Sequence, residues 1–109
     1  MSSAVPAVIR NELDDIVVSF AQSPFAGNIK KILLFGSFAT QKYQPESDID
    51  LAVVVREPPA KALLADYYMT VDHIPRETDL LFCTEEQLLS GRYVFAKILR
   101  EGITLYENV

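Results

Sequence analysis

The chain has 109 residues, of which 50% are hydrophobic and 23% are charged, and its formal net charge at pH 7 is -5. This length and balance fit one globular domain spanning residues 1–109, and they exclude a chain too polar to build a core. The acidic charge argues against direct, sequence-independent binding to nucleic acid, which requires a surface of lysine and arginine.

Three features bear on the cellular compartment. Cys83 is the only cysteine, so an intramolecular disulfide is excluded and a reducing compartment is the simplest interpretation. The first ten residues lack the cationic stretch and apolar core of a secretory signal. No apolar run approaches the roughly 20 residues needed to span a bilayer. We therefore expect a cytoplasmic protein without a membrane segment.

The first predicted element is an amphipathic helix that begins near Pro6 and ends before Ser23-Pro24. Its acidic residues Asp14 and Asp15 fall on the opposite face, where they are expected to be solvated. The apolar stripe of this helix has the spacing of one helical face and consists of Val8, Ile9, Leu13, Ile16, Val17 and Phe20.

The remaining elements alternate between apolar runs and helical patterns. In chain order we first predict a buried strand Ile29–Phe35, one or two helical turns within Phe38–Tyr43, a turn at Pro45–Ser47, and a strand Asp48–Arg56 that stops at Pro58-Pro59. A helix Ala60–Asp72 follows, with Leu63, Leu64, Tyr67 and Tyr68 inside. The last predicted elements are a strand Thr78–Cys83, a helix that begins with a capping box of Thr84 and Gln87, a helix Tyr93–Arg100 and an edge strand Ile103–Tyr106. This order predicts an α/β or α+β fold, with a small mixed sheet covered by helices on one side.

Two aspartates in the second predicted strand form a candidate metal site. Asp48 and Asp50 are two residues apart, so in a strand they project from the same face. Two such carboxylates repel each other by about 1 to 4 kcal/mol near a protein surface. A divalent cation removes that cost, and Mg²⁺ favours one or two carboxylates together with phosphate oxygens and water.

Two further features point to phosphoryl transfer. Asp79 opens the third predicted strand, and if that strand lies beside the second, its carboxylate joins the cation site or accepts a proton from an acceptor hydroxyl. Gly36 and Ser37 close the first strand and open a short helix, where glycine permits a phosphate to approach the backbone. A Gly-Ser pair alone, however, is usually only a turn.

The segment from Gly36-Ser37 to Ser47-Asp48-Ile49-Asp50-Leu51 resembles the nucleotidyltransferases that share the polymerase-β-like palm, and in particular the minimal nucleotidyltransferases, often encoded as antitoxins beside HEPN-type toxins. The family pattern is Gly-Ser, a variable helix, Asp-x-Asp in a strand and a third acid on a later strand. The resemblance implies Mg²⁺ held by Asp48, Asp50 and Asp79, and ATP whose phosphates contact Gly36 and Ser37. It covers about residues 8 to 106.

The chain departs from the family pattern at three positions. Thr40 and Gln41 stand where members usually carry a basic residue and a glycine, and Phe38 replaces another position that is often basic. The basic residues commonly serve the triphosphate. Lys42 is the nearby cation that would compensate, although a solvated surface lysine is the simpler interpretation.

The resemblance implies transfer of AMP from ATP to a tyrosine of a HEPN toxin, in a homo- or hetero-oligomer. Two alternatives stay open: an antitoxin that neutralises its toxin by binding alone, and transfer to a small molecule such as an aminoglycoside. Other sites are disfavoured by the residues themselves. The glycine and glutamate of an EF-hand loop are missing around Asp48, His73 has no second ligand nearby in sequence, and Cys83 ends an apolar strand and is expected in the core.

Overall fold

The computed structural model describes residues 5–108. None of the helices in that range has the length and apolar character required to traverse a lipid bilayer. The elements in chain order are a 3-10 turn at Ala7–Ile9, α1 (Arg10–Ala21), a 3-10 turn at Ala26–Asn28, β1 (Ile29–Phe35), α2 (Ser37–Thr40), β2 (Ile49–Val55), α3 (Lys61–Thr70), β3 (Thr78–Thr84), α4 (Glu85–Leu89), α5 (Val94–Glu101) and β4 (Ile103–Glu107).

The four strands form a mixed sheet in the order β3-β2-β1-β4. The central strand β1 runs antiparallel to both β2 and β4, whereas β2 and β3 are parallel. Parallel neighbours need a crossover connection, and the segment that contains α3 provides it. The predicted mixed sheet and the predicted edge strand near the C-terminus are both confirmed.

Helices cover both faces of the sheet, because β1 and β2 are apolar on both faces. The first face packs against α1, α2 and α3, and its core includes Leu13, Ile16, Phe20, Ile32, Leu34, Phe38, Leu51, Val53 and Tyr67. The second face packs against α4 and α5, and its core comprises Leu33, Ala52, Val54, Cys83, Leu88 and Ile98. The expectation that helices lie on one side only is therefore wrong, and the consecutive apolar residues 32–35 and 51–55 carried the signal.

In two predicted helices, fewer side chains are buried than the sequence pattern predicts. Val8 is 51% exposed, since it lies in the 3-10 turn before α1, whose three-residue period does not continue the helical stripe. In α3, Tyr67 is fully buried whereas Leu63 and Tyr68 are exposed. Neighbouring residues on a helix point about 100° apart, so Tyr67 and Tyr68 cannot share a buried face. The prediction that Tyr67 lies inside is confirmed, whereas that for Leu63 and Tyr68 is wrong.

Tyr68 stabilises the open edge of β3. Its hydroxyl donates a hydrogen bond to the carbonyl oxygen of Leu80 (3.2 Å) and accepts one from the amide of Leu80 (3.3 Å). A phenolic hydroxyl can donate and accept at once, so it satisfies backbone groups on the side of β3 that faces no other strand. The capping box at the start of α4 is also confirmed, with Thr84 and Gln87 bonded reciprocally.

Arg76 connects three elements near the start of β2. Its Nε donates to Glu12 of α1 (2.9 Å), and its Nη1 donates to the carbonyl oxygens of Pro45 and, at 2.9 Å, of Ser47. Its guanidinium carbon also lies 5.2 Å from the centre of the Phe38 ring in α2. This arginine therefore holds the turn that leads into β2 against both helices.

Replacing Arg76 by methionine keeps a long apolar side chain and removes these charged hydrogen bonds. Because the arginine is mostly buried, with 15% of its side chain exposed, we expect the free energy of unfolding to fall by about 2 to 4 kcal/mol. Urea denaturation measures this change. Arg92→Met is the matched control, since that exposed side chain forms no hydrogen bond or ion pair with residues 5–108 and its loss should change stability by less than about 0.5 kcal/mol. Equal midpoints for the two variants would contradict this role of Arg76.

Candidate active site at the start of strands β2 and β3

Asp50 and Asp79 lie side by side where β2 and β3 begin. They are directly paired in the parallel register, and Asp48 stands one residue before β2. Strand alternation places Asp50 on the same face as Ala52, and Asp79 on the same face as Cys83. Ala52 and Cys83 both belong to the core of the second face. The pairing of β2 with β3 thus brings together on one face two acids that are far apart in the sequence.

The charges of the three aspartates act on one another. Burial raises the pKa of Asp50, and the neighbouring carboxylates of Asp79 and then Asp48 raise it further. Asp50 is half-buried, whereas Asp48 and Asp79 are exposed. The ionised form of Asp50 is therefore disfavoured, as expected for a half-buried carboxylate beside two other carboxylates.

Gly36 makes room for the carboxylate of Asp50. A Cβ atom at position 36 would lie 2.3 Å from Oδ2 of Asp50, and the backbone at Gly36 has a φ of 77°. Side chains disfavour that left-handed conformation, and no heavy atom approaches another so closely without displacement. Glycine is therefore required at this position both by the backbone and by the aspartate next to it.

The short helix α2 explains the positions that depart from the family pattern. Thr40 bonds back to Gly36, with its amide 3.2 Å and its hydroxyl 3.3 Å from the carbonyl oxygen. Gln41 ends the helix in the left-handed conformation, with a φ of 66°, which is why a glycine suits this position. Phe38 is buried and stacks on Tyr43, with ring centres 4.8 Å apart. Position 38 thus serves the core and not a ligand.

The donor set fits Mg²⁺. Within residues 5–108, no group of three or more His, Cys, Asp or Glu side chains is arranged as a ready-made metal site. Mg²⁺ does not need such a group, because it binds through one or two carboxylates and fills its other positions with water and substrate phosphate oxygens. Asp50 and its two acidic neighbours offer carboxylate oxygens for such a cation. The assignment of Asp48, Asp50 and Asp79 as metal ligands stays a prediction.

Other candidate groups in the described part of the chain lack comparable surroundings. A pocket of about 470 Å³ lies where β1 begins and β2 ends, lined by residues such as Leu33, Val54 and Leu99, and it contains none of the three aspartates. Cys83 is buried as expected, and burial raises the pKa of its thiol, so it is a poor nucleophile. His73 is exposed and lies 3.3 Å from the hydroxyl of Ser19.

Two further pockets include residues that the sequence did not single out as functional. One, of about 350 Å³, is lined by Asp79 together with Tyr68, Met69, Arg76 and other residues of the α3–β3 connection. The other, of about 370 Å³, is lined by Ala39, Thr40, Lys42, Lys97 and Glu101. The sequence contains no local signal for Lys97 or Arg76, since only the fold brings them near β2 and α2.

The model of the polymerase beta nucleotidyltransferase family matches residues 15–109. A curated relative, "Putative protein adenylyltransferase MJ0604" of Methanocaldococcus jannaschii, is 51% identical over 37 residues. That stretch is 34% of this chain and 37% of the relative, so the chain matches little more than a third of the relative's length.

Several solved structures share the fold. A toxin–antitoxin complex with AMP-PNP superposes with a TM-score of 0.64 at 20% identity over 88% of this chain and 73% of that chain. A "putative nucleotidyltransferase" from Sulfolobus solfataricus gives 0.61 at 23% identity over 99% and 90%. A complex of tri-AMPylated Shewanella oneidensis HEPN toxin with MNT antitoxin gives 0.61 at 16% identity over 91% and 72%.

The match to the family model covers most of the chain, and it includes the Asp-x-Asp strand and the strand that carries the third acid. The mixed sheet of the described residues also agrees with the fold of the solved nucleotidyltransferase. The chain therefore belongs to the polymerase beta nucleotidyltransferase family.

Proposed function

We propose that this protein is a Mg²⁺-dependent adenylyltransferase that transfers AMP from ATP to a hydroxyl group of another protein. The observation that carries the proposal is the pairing of Asp50 with Asp79 on one face of the sheet, with Asp48 next to them and Gly36 against Asp50. Phosphoryl transfer requires positioning, neutralisation of charge and a base for the attacking hydroxyl. These residues together meet those requirements.

Each residue has a distinct role in the proposed reaction. Asp48 and Asp50 hold the cation, which when bound neutralises charge on the phosphates. Gly36 and Ser37 contact the phosphates of ATP. Asp79 accepts the proton of the acceptor hydroxyl, whose oxygen forms a bond to the α-phosphorus. The bond from that phosphorus to the oxygen leading to the β-phosphate breaks, and pyrophosphate leaves.

A protein is the proposed acceptor. The pocket next to Asp79 includes Tyr68 and Met69, which are exposed, so a side chain presented by another chain can reach it. The curated relative is named as a protein adenylyltransferase, and one complex of the same fold contains an AMPylated HEPN toxin. These names support a cognate HEPN toxin as the partner and one of its tyrosines as the acceptor. The proposed use of ATP and Mg²⁺ sets the reaction in the cytoplasm, where the two proteins would form a hetero-oligomer.

Incubation of the purified protein with Mg²⁺, ATP and its neighbouring toxin tests the transfer. Intact mass spectrometry is expected to find AMP added to the toxin, and tryptic mapping is expected to find it on tyrosine. Asp48→Asn, Asp50→Asn and Asp79→Asn should each lower the initial rate at least about 100-fold, since each removes a metal ligand or the base. Asp14→Asn, a change at an exposed acid of α1, is the control and should keep the wild-type rate.

Two results would contradict the proposal. Neutralisation of the toxin without any adduct, retained in the three variants, would mean that the protein acts by binding alone. AMP found on an added small-molecule hydroxyl compound such as an aminoglycoside, and not on the toxin, would move the acceptor to the small-molecule class.

Asp50→Asn is also expected to change the unfolding temperature, and the comparison with the wild type depends on whether Mg²⁺ is present. In metal-free buffer the variant should unfold at a higher temperature, because it removes the carboxylate that burial and two neighbouring charges destabilise. Asp50 is only half-buried, so we expect a gain of about 1 kcal/mol, equivalent to roughly 4 to 8 °C. Mg²⁺ should stabilise the wild type and leave the variant unchanged.

Differential scanning fluorimetry with and without Mg²⁺ measures both effects, and Asp14→Asn again serves as the control. A variant that melts below the wild type without metal would contradict the charge crowding. A variant that gains as much from Mg²⁺ as the wild type would remove Asp50 from the proposed metal site.

A further inference from the structure

One pocket beside α2 carries two lysines from separate elements. Lys42 follows α2 and Lys97 lies on α5, and both line a pocket of about 370 Å³ together with Ala39, Thr40 and Glu101. Thr40 is hydrogen-bonded to Gly36 through its amide and its hydroxyl. Gly36 in turn packs against the carboxylate of Asp50. Thr40 and Gly36 thus connect the wall of this pocket to Asp50 of the proposed reaction centre.

Both lysines lack a partner among residues 5–108. Neither ammonium group lies within 4 Å of a carboxylate, whereas Lys30 is paired with Glu85 and Lys31 with Glu107. The side chains of Lys42 and Lys97 are also exposed. Two exposed lysines that line one pocket with a single acid are expected to attract an anion.

Glu101 is the acid that lines the same pocket. Its Oε1 lies 3.6 Å from Nη2 of Arg100, which partly offsets its charge. Its Oε2 is buried and receives no hydrogen bond from the described residues. Arg100 thus partly offsets the charge of Glu101, whereas Lys42 and Lys97 each add a positive charge to the pocket. The pocket therefore carries a net positive charge, although the net charge of the protein is -5.

The proposed reaction needs cations at this place. A nucleoside triphosphate bound beside three aspartates brings several more negative charges, and a single Mg²⁺ offsets only two of them. Position 40, which points toward the pocket, is a threonine whose hydroxyl is occupied with the carbonyl oxygens of Gly36 and Ser37. Position 40 therefore supplies no positive charge to the phosphates. Lys42 and Lys97 are the cations that line the same pocket.

We propose that Lys42 and Lys97 bind the β- and γ-phosphates of the nucleoside triphosphate. This inference rests on the proposed function and names residues for it that come from two different elements. Lysine binds phosphate as a point charge through its three donors, without the planar geometry of arginine. The two lysines thus recognise the part of the substrate that leaves as pyrophosphate, and they do not recognise AMP.

Equilibrium binding of ATP and AMP in the presence of Mg²⁺ tests the inference without relying on turnover. Isothermal titration calorimetry should show that Lys42→Gln and Lys97→Gln each weaken ATP binding about tenfold. Their affinity for AMP should equal that of the wild type, since AMP lacks the β- and γ-phosphates. Lys97→Arg should retain most of the affinity for ATP because it keeps the charge.

Lys61→Gln is the matched control. Lys61 is exposed at the start of α3 and makes no ion pair within the described chain. It lines neither the pocket that contains Asp79 nor the pocket that contains Lys42 and Lys97. This variant should bind both nucleotides as the wild type does, apart from the small effect of one distant charge. Circular dichroism should show the same unfolding temperature for all the lysine variants, since both lysines of the pocket are exposed.

The outcomes separate this inference from the proposed function. Wild-type protein that binds ATP, together with Lys42→Gln and Lys97→Gln variants that bind it equally well, would overturn the inference alone. Variants that lose affinity for ATP and AMP to the same extent would also overturn it, because the lysines would then not act on the β- and γ-phosphates. Wild-type protein that binds neither nucleotide would overturn the proposed function and this inference with it.

Discussion

The carboxylate of Asp50 occupies the most demanding position in the molecule. It is half-buried, it faces the carboxylates of Asp79 and Asp48, and it fills the space that a side chain at position 36 would take. Each of these conditions disfavours a negative charge or restricts the residues around it. A fold selected for stability alone would place a neutral side chain at position 50, since the rest of β2 is apolar. This charge crowding supports the proposed metal site, in which a cation would offset the charge of Asp50.

The rest of the structure serves to hold these groups in place. The parallel pairing of β2 with β3 sets Asp79 beside Asp50, and covering the sheet on both faces fixes the two strands. Arg76 secures the turn before β2 to α1 and α2, so the segment that carries Asp48 has a defined position. The hydroxyl of Tyr68 stabilises the outer edge of β3 at Leu80, the residue that follows Asp79. Each of these contacts fixes one side of the candidate site.

Departures from the family pattern acquire a physical meaning in the fold. Phe38 is part of the core, where it stacks on Tyr43 and lies under Arg76, so a cation at that position would be buried beside the like charge of Arg76. Gln41 takes the left-handed conformation that glycine adopts more readily. Thr40 uses its hydroxyl on the backbone of α2 and leaves the pocket beside it to lysines from elsewhere. In the proposed phosphate site, Lys42 and Lys97 supply the positive charge that the family pattern places at position 40.

Local patterns were enough to predict most of the elements and the polar residues of the candidate site. These patterns are short-range, because strand alternation, helix capping and turn chemistry depend on neighbouring residues. They include the apolar runs of β1 and β2, the capping box at Thr84, and the Gly36-Ser37 pair followed by an Asp-x-Asp strand. They also carried the resemblance to the nucleotidyltransferases. Only the tertiary structure decided that Asp79 lies beside Asp50 and that helices cover both sides of the sheet. It also decided that Arg76 contacts the turn before β2 and that Lys97 lines the pocket beside α2. Those relations join residues distant in the chain, and they follow from strand register and from which face each helix covers, which no local pattern specifies.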